Sequence, residues 1–509
     1  MCSIFGVIAT KAVDPNDIIL YSSILAADTQ HRGDAWVGIA YSEGSVLRTE
    51  KRAGRVTAIF NDPRLMKKMS DRGVQMIAGQ TRFPTQGDSI KINAQPYYFR
   101  LPSGTIALGS NGDTQDYSAE KLRQQALGIK HITTNDAEVL LSEIWLTACQ
   151  EGRSYSDGII QLMKNVPATF SAWMTTEAEL YLFRDPSGNR PLFYMQVGSF
   201  FVFASEDCAL QGVLTQRAAD GHQDGTVDIC QVLPGESILI SIHGSVKPRQ
   251  LVPARKKGAM CVFERVYLAR PDSLLFGADN LTQSIYYKVR VRLENGNVFF
   301  DPLDTEDIVD IGSFRYELGK QLAIEHPAPE AEFVIPIPDS GNMAALGYAS
   351  KSGLSMKIGL VRNLYVGRTF IASGRESREL LTALKYRPML GLFRSGRPVR
   401  MVVVDDSIVF GTSSYRVDQM LHARGAVIDK RISCPPIKYP CFSGVDMSSK
   451  GELIAATKTI EEMEAFYKVA SLRYLSIEGL RTVLGAMSDH YCFACWNGDY
   501  PITASKMLK

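Results

Sequence analysis

Cys2 stands directly behind the initiator methionine, in the opening MCSIFGV. With Met1 removed, one residue would carry both a thiol and a free α-amine. That amine has an intrinsic pKa of about 8, close enough to neutrality to take the thiol proton. Such a residue is a nucleophile that brings its own base; the alternative is a cysteine placed there by accident. A second concentration of chemistry lies in RMVVVDDSIVFGTSS, which begins at Arg400. A run of valines ends in two adjacent carboxylates, Asp405 and Asp406, followed by Ser407, Gly411, Thr412, Ser413 and Ser414. Ligands bind where the strands of an open α/β sheet end, and helix N-termini donate amide hydrogens to anions. The small residues can cradle a monophosphate while the aspartates hold ribose hydroxyls, or a Mg2+ ion coordinated with them. The plainer reading is a strand-end turn with a helix cap, which asks for neither two carboxylates nor Gly-Thr-Ser-Ser.

A second strand end, VIPIPDSGN from Val334, offers Asp339, Ser340 and Gly341 as a small-residue loop suited to pyrophosphate. RNLYVGRTFI, from Arg362, joins two cations, Arg362 and Arg368, to an aromatic and a glycine. That suits a lid closing over phosphates, although cations and aromatics are also common on plain surfaces. Grouped in this way, the residues are characteristic of a site for phosphoribosyl pyrophosphate (PRPP).

The elements that must position these residues differ between the two halves of the chain. The first half predicts many short strands rich in β-branched and aromatic residues, among them CSIFGVIA, WVGIAYSEG, TIALGS, ELYLFRD, FFVFASED and ESILISIHG. Helices fall between them, for instance Asp17 to Thr29, with Ile18, Ile19, Ser22, Leu25 and Ala26 along one side. PRQLVPARKKGA, near 248 to 259, is basic and proline-bearing and reads as an interdomain linker. Beyond it, apolar strands (VIPIP, MKIGLV, VRMVVVDDS, AVIDKRIS) alternate with amphipathic helices, which predicts a parallel, doubly wound sheet. The expected division is 2–250, 260–480, and a Cys- and aromatic-rich tail, 481–509.

Composition excludes several classes. Among 509 residues, 56 basic side chains stand against 54 acidic ones, so no global field draws the chain to nucleic acid or to a membrane surface. No stretch approaches the roughly 20 apolar residues of a membrane span, and no charged-then-apolar leader opens the sequence. A cytoplasmic location is expected. The nine cysteines do not suggest a disulfide scaffold; five lie beyond residue 260, which makes metal binding worth testing.

The chain resembles the glutamine amidophosphoribosyltransferases, which open purine synthesis. The likeness is carried from end to end by HRGD (His31), GQTRFPTQG (Gly79), NAQP (Asn93), SNGD (Ser110), TTNDAEVLL (Thr133) and RDPSGNRPL (Arg184). It continues through SEDCAL (Ser205), CVFERVYLARPDS (Cys261), VIPIPDSG, YVGRTFI, VVVDDSIVFGTSS, SCPPIKYPCFSGVD (Cys434) and CFACWNGDYP (Cys492). It implies an α+β N-terminal-nucleophile αββα sandwich, acting as a glutaminase, followed by an α/β phosphoribosyltransferase domain with a parallel sheet. It also implies roles. Cys2 attacks the glutamine carboxamide, and Asn111 with the Gly112 amide forms the oxyanion hole. Arg82 and Asp136 bind the α-carboxylate and α-amino group of glutamine, with Thr85 beside them. Taken singly, Arg82 is also a plausible surface ion pair and Asn111-Gly112 a hairpin turn. On the PRPP side, Arg368 and Lys385 would close over the ligand held by Asp339, Ser340, Gly341, Asp405, Asp406, Ser407, Gly411, Thr412, Ser413 and Ser414. Cys261, Cys441, Cys492 and Cys495 fall where one branch of the family holds a [4Fe–4S] cluster. By spacing alone these thiols suit zinc equally well, or are small buried hydrophobes. The implied substrates are glutamine and PRPP, with Mg2+, and the implied assembly is a homo-oligomer, dimer or tetramer.

Several positions depart from the family pattern. Ser3 replaces a glycine beside the nucleophile, Gln80 a histidine and Asp113 an asparagine. Around the second site, Phe410, Leu364 and Ala383 stand where the family has arginines, and Arg265 where it has a tyrosine. Each charge-assisted contact is worth about 1.5–3 kcal/mol, so these losses should weaken phosphate binding unless Arg375, Arg378 or Arg387 compensate. Two alternatives follow: a paralogue delivering ammonia to another phosphosugar or acceptor, and a non-catalytic regulator that binds PRPP or a nucleotide.

Overall fold

The computed structural model describes residues 2–83, 89–102, 104–255, 259–274, 288–301, 310–366, 384–393, 397–445, 447 and 450–501. Two antiparallel sheets face one another in the first half. One has nine strands, in the spatial order Asn297–Asp301, Lys288–Glu294, Gly225–Gln231, Phe193–Val197, Phe200–Ala204, Ser3–Ala9, Val74–Arg82, Trp36–Glu43 and Val46–Ala53. The other has six: Val246–Gln250, Glu236–Ser241, Glu179–Arg184, Ala168–Thr175, Gly104–Thr114 and Tyr97–Leu101.

The period-2 geometry of a strand sends alternate side chains to opposite faces. In Ser3–Ala9, Phe5, Val7 and Ala9 pack on the helix Pro15–Asp28 through Ile18, Tyr21 and Leu25. Ile4 and Ile8 point the other way, into the space between the sheets, with Trp173, Leu182 and Phe203. Behind the six-stranded sheet, Phe170, Ala172 and Met174 meet the helices Ala137–Trp145 and Tyr155–Asn165. The result is the expected helix–sheet–sheet–helix sandwich. The expected first helix runs from Pro15, capped by the Asp14 carboxylate on the Asn16 amide at 2.9 Å.

The second half is built on a four-stranded parallel sheet, ordered Phe333–Pro336, Val399–Asp405, Ala426–Ile432 and Ser471–Tyr474. Val402, Val403 and Val404 have no exposed surface, as a strand covered on both faces requires. MKIGLV was expected to join this sheet and does so only by a bridge from Met356 to Val334. Lys357 and Ile358 are exposed, and the chain leaves the sheet to form Leu360–Arg362, which pairs antiparallel with Tyr386–Pro388. A strand with an exposed face cannot continue a sheet covered on both sides.

The two halves are also joined by backbone. Lys288–Glu294 and Asn297–Asp301, which follow the basic 248–259 stretch in the sequence, form a hairpin whose first strand pairs with Gly225–Gln231. Its turn is Asn295-Gly296, both at positive φ (52° and 75°), the chemistry a tight two-residue hairpin demands. Among the described residues no helix is long and apolar enough to cross a membrane.

Candidate active site

Cys2 is half-buried where the strand Ser3–Ala9 begins. Its main-chain nitrogen, the α-amine once Met1 is gone, donates to Asn111 Oδ1 at 3.4 Å, and its Sγ lies 3.8 Å from the Phe83 carbonyl oxygen. Asn111 is 1% exposed, and its Nδ2 has no hydrogen-bond partner among the described residues. A buried amide donor beside a thiol is what an oxyanion hole requires. Gly112 follows in the same strand, where a Cβ would fall 1.9 Å from the Thr169 carbonyl oxygen, so only glycine fits. Ser3, the departure beside the nucleophile, is buried and shares a 2.6 Å hydroxyl–hydroxyl hydrogen bond with Thr81, its register partner in the neighbouring strand. It is part of the sheet and does not crowd the amine.

Arg82 is 1% exposed at the end of Val74–Arg82, and Asp136 is buried at the start of the helix Ala137–Trp145. Asp136 accepts from the Thr114 amide at 2.8 Å. Burial pushes its carboxyl above the usual range, against the pull of that amide and of the Arg82 guanidinium. The two charges expected to hold the ends of glutamine are therefore in each other's field. Thr85 lies outside the described residues.

At the other centre, Asp405 and Asp406 are buried at the carboxyl end of Val399–Asp405. The Asp406 amide donates to Asp405 Oδ1 at 3.0 Å, and the Ser407 hydroxyl to Asp406 Oδ2 at 2.5 Å. Burial, then repulsion by Asp406, pushes Asp405 well above the usual carboxylate range. Gly411 (φ 82°) precedes the helix Thr412–His422 and sits so tightly on Tyr467 that a Cβ would lie 2.5 Å from its hydroxyl. The Ser414 hydroxyl is buried without a partner among the described residues. Asp339 is ion-paired with Arg362, and the Asp406 carboxylate also accepts from the Ser340 side chain. Gly341 is pressed on the Val404 and Ile337 carbonyls. The Lys385 ammonium lies 5.2 Å from the centre of the Tyr386 ring. Arg368, Ala383, Arg375 and Arg378 lie outside the described residues.

A cavity of about 460 Å3 extends from the second centre as far as Phe83, the neighbour of the Cys2 thiol. Phe83, whose carbonyl faces the Cys2 thiol, lines one part; Asp339, Ser340, Lys385, Asp405, Asp406 and the 407–414 loop line another. Phe410 and Leu364, two of the lost cations, are apolar parts of that lining. The sequence reading had not assigned the residues between the centres. Arg32 donates to Glu206 at 2.5 Å and to Glu264 at 2.7 Å, and Arg190 donates to Glu264 at 2.8 Å and to the Ser443 carbonyl. Their signal was present, since HRGD, RDPSGNRPL, SEDCAL and CVFER contain all four, but nothing in the sequence says that they meet. Gly444 then rests on Gly112, with a Cβ position 3.1 Å from its carbonyl.

The tail returns to the body beside these groups. Cys261 and Cys492 are opposite one another in a short parallel bridge, Met260–Cys261 with Tyr491–Cys492. Burial pushes Cys261 up to about 12 and Cys492 up to about 11, and Cys495 well above the ordinary thiol range; Cys441 and Cys492 raise Cys261 further, Cys441 raises Cys492, and Cys261, Cys492 and Cys441 raise Cys495. They share a neighbourhood, yet among the described residues no group of three or more His, Cys, Asp or Glu side chains is drawn together tightly enough to hold a metal ion. Arg265, the other departure, stacks 4.9 Å over the Phe314 ring and donates to the Tyr491 hydroxyl at 3.1 Å.

The sandwich with a cysteine at its strand end defines an N-terminal-nucleophile glutamine amidotransferase fused to a parallel-sheet domain with a phosphate-type loop. Residues 81–212 match the family model described as a glutamine amidotransferase domain. The amidophosphoribosyltransferase of Methanocaldococcus jannaschii is 34% identical over 98% of this chain and 98% of its own length; that of Synechocystis is 32% identical over 100% and 92%. The structure of the glutamine PRPP amidotransferase from B. subtilis superposes with a TM-score of 0.80 at 29% identity, covering 99% of this chain and 98% of that one. This chain belongs to the amidophosphoribosyltransferase family.

Proposed function

We propose that the protein transfers the amide nitrogen of glutamine to PRPP, giving 5-phosphoribosylamine, pyrophosphate and glutamate. The α-amine of Cys2 takes the thiol proton, and the thiolate attacks the side-chain carboxamide of glutamine held by Arg82 and Asp136, with Thr85 beside them. Asn111 Nδ2 and the Gly112 amide receive the oxyanion. Collapse expels ammonia and leaves a γ-glutamyl thioester, which water hydrolyses to glutamate. Ammonia attacks C1 of PRPP as the C1–oxygen bond to pyrophosphate breaks. Asp405 and Asp406 would hold the ribose hydroxyls and Mg2+, which neutralises charge on the leaving group. Ser407 and residues 411–414 would hold the 5′-phosphate, Asp339, Ser340 and Gly341 the pyrophosphate, with Arg368 and Lys385 closing over it. The observation that carries this reading is the cavity that reaches from the two aspartates to Phe83, whose carbonyl lies beside the Cys2 thiol.

Cys261, Cys441, Cys492 and Cys495 have the donor type of an iron–sulfur cluster and are half-buried in one neighbourhood, although among the described residues they are not drawn together as ligands. A bound cluster would supply a cross-link fixing the 481–501 stretch to the body, and no catalytic step is assigned to it. A second reading, ammonia delivery to another phosphosugar, is favoured by Phe410 and Leu364 in the lining. The test is glutamine hydrolysis and pyrophosphate release by Met-processed protein, with and without PRPP and Mg2+. Glutamine-dependent pyrophosphate release is expected. Glutamine hydrolysis indifferent to PRPP, without pyrophosphate, would favour the second reading.

A further inference from the structure

The segment from Phe263 to Ser273 crosses between the halves and walls the shared cavity with Phe263, Tyr267, Leu268, Ala269 and Arg270. From the glutaminase side it is gripped by side chains. The Glu264 carboxylate takes Arg32 and Arg190, and Glu206 accepts from the Arg270 amide at 2.9 Å and the Ser273 hydroxyl at 2.6 Å. From the other side it is held through its backbone: the Ile311 and Gly312 amides donate to the Ser273 and Pro271 carbonyls at 2.9 and 2.7 Å, and one side chain holds the turn itself. Arg315, in the helix Ile311–Glu325 and 3% exposed, donates from Nε to the Arg265 carbonyl and from Nη2 to the Ala269 carbonyl, both at 2.9 Å. One of these carbonyls lies within the π-helical turn Glu264–Leu268 that carries Tyr267, and the other directly follows it.

The Arg315 guanidinium lies in the field of two carboxylates at once: Asp406 in the parallel-sheet half and Glu206 in the glutaminase half. A planar guanidinium holding two fixed acceptors transmits displacement better than a flexible ammonium would. A charged ligand at Asp405 and Asp406 changes the field that Asp406 exerts on Arg315, and so the pull on the fork that holds the two wall carbonyls. We propose that Arg315 is a positioning residue that couples occupancy of the aspartate pair to the wall of the cavity, and through that wall to the use of glutamine. The coupling rests on the reaction assigned above; Arg315 contacts no reacting atom in it.

Coupling of this kind must be shown as an energy between two sites. The experiment compares wild type, Arg315→Lys and Arg315→Met in four measurements. These are glutamine hydrolysis without PRPP, pyrophosphate release from Mg2+–PRPP with ammonium chloride, pyrophosphate release with glutamine, and the rate of Cys2 alkylation by iodoacetamide with and without Mg2+–PRPP. In Arg315→Met the first two should stay within about threefold of wild type, while the ratio of glutamine-dependent to ammonium-dependent release falls about tenfold or more, within the usual range of intersite coupling. The effect of Mg2+–PRPP on alkylation should disappear. Arg315→Lys, which keeps the charge and loses the fork, should recover part of both. An unchanged ratio with an unchanged alkylation response overturns the proposal. If Arg315→Met does not fold, the Lys variant decides by the same ratio. If wild type releases no pyrophosphate with either nitrogen source, the assigned reaction fails, and the alkylation response alone decides the coupling.

Discussion

Asn111 divides its amide between two tasks: Oδ1 takes the Cys2 nitrogen, and Nδ2 is left buried without a partner. Asn111→Ala should therefore lower kcat with glutamine about 10²–10³-fold and leave ammonium-dependent pyrophosphate release intact; equal losses in both assays would remove the oxyanion assignment. Asp405 shows the opposite economy, since a carboxyl held well above its ordinary range is a site of stored instability. Ionising it is harder in the fold than in the unfolded chain, so it destabilises the empty protein at any pH above its unfolded pKa. Asp405→Asn should stabilise the empty protein at pH 7.5 by about 1 kcal/mol, read as a higher Tm, while abolishing PRPP use, a trade common at functional sites. At this scale the sequence is most legible, because chemistry dictates residue type: Cys2, Asn111, Arg82, Asp136 and the aspartate pair are recognisable from type and order. The Phe83 carbonyl, the Arg315 fork and the Gly444–Gly112 contact are not, because a backbone acceptor or a close approach leaves no mark on residue type.

The crossing segment Phe263–Ser273 is the element on which the two halves agree. Arg32 has no exposed surface and serves both Glu206 and Glu264, so Arg32→Met removes the shared cation from two buried carboxylates and should cost about 3 kcal/mol, read as a fall in Tm. Burial alone would raise the pKa of both glutamates, but Arg32, with His31 at Glu206 and Arg190 at Glu264, holds them below the ordinary range. A lowered carboxylate pKa stabilises the fold fully above the unfolded value, about 4.5 for Glu, and is lost as pH falls through the folded value. From this source Tm should be flat from pH 8 to pH 5 and fall below pH 4.5 in wild type, with a shallower acid limb in Arg32→Met. Elements were legible where one periodicity ran through them, as in Ser3–Ala9 and Val399–Asp405. MKIGLV misled because an apolar composition does not reveal that Ile358 faces solvent.

For the whole molecule, the hairpin formed by Lys288–Glu294 and Asn297–Asp301 determines what counts as a half. It went unassigned from the sequence, although an alternating KVRVRLE precedes the Asn-Gly turn. Its destination was not legible there, because pairing with Gly225–Gln231 is a contact between distant parts of the chain. Val291 has no exposed surface and lies opposite Val227, so Val291→Asp buries an unpaired carboxylate. The expected result is a loss of glutamine hydrolysis and soluble yield by a change more than 280 residues from Cys2 in sequence.

The same hairpin sets an order on synthesis. As the chain leaves the ribosome, the nine-stranded sheet that carries Cys2 at one of its strand ends stays two strands short until residue 301 has emerged. Until then Gly225–Gln231 is an open edge able to pair with any nascent strand nearby. A ribosome that stalls at the basic 248–259 stretch would therefore release an amidotransferase half with a nucleophile and an unsealed sheet.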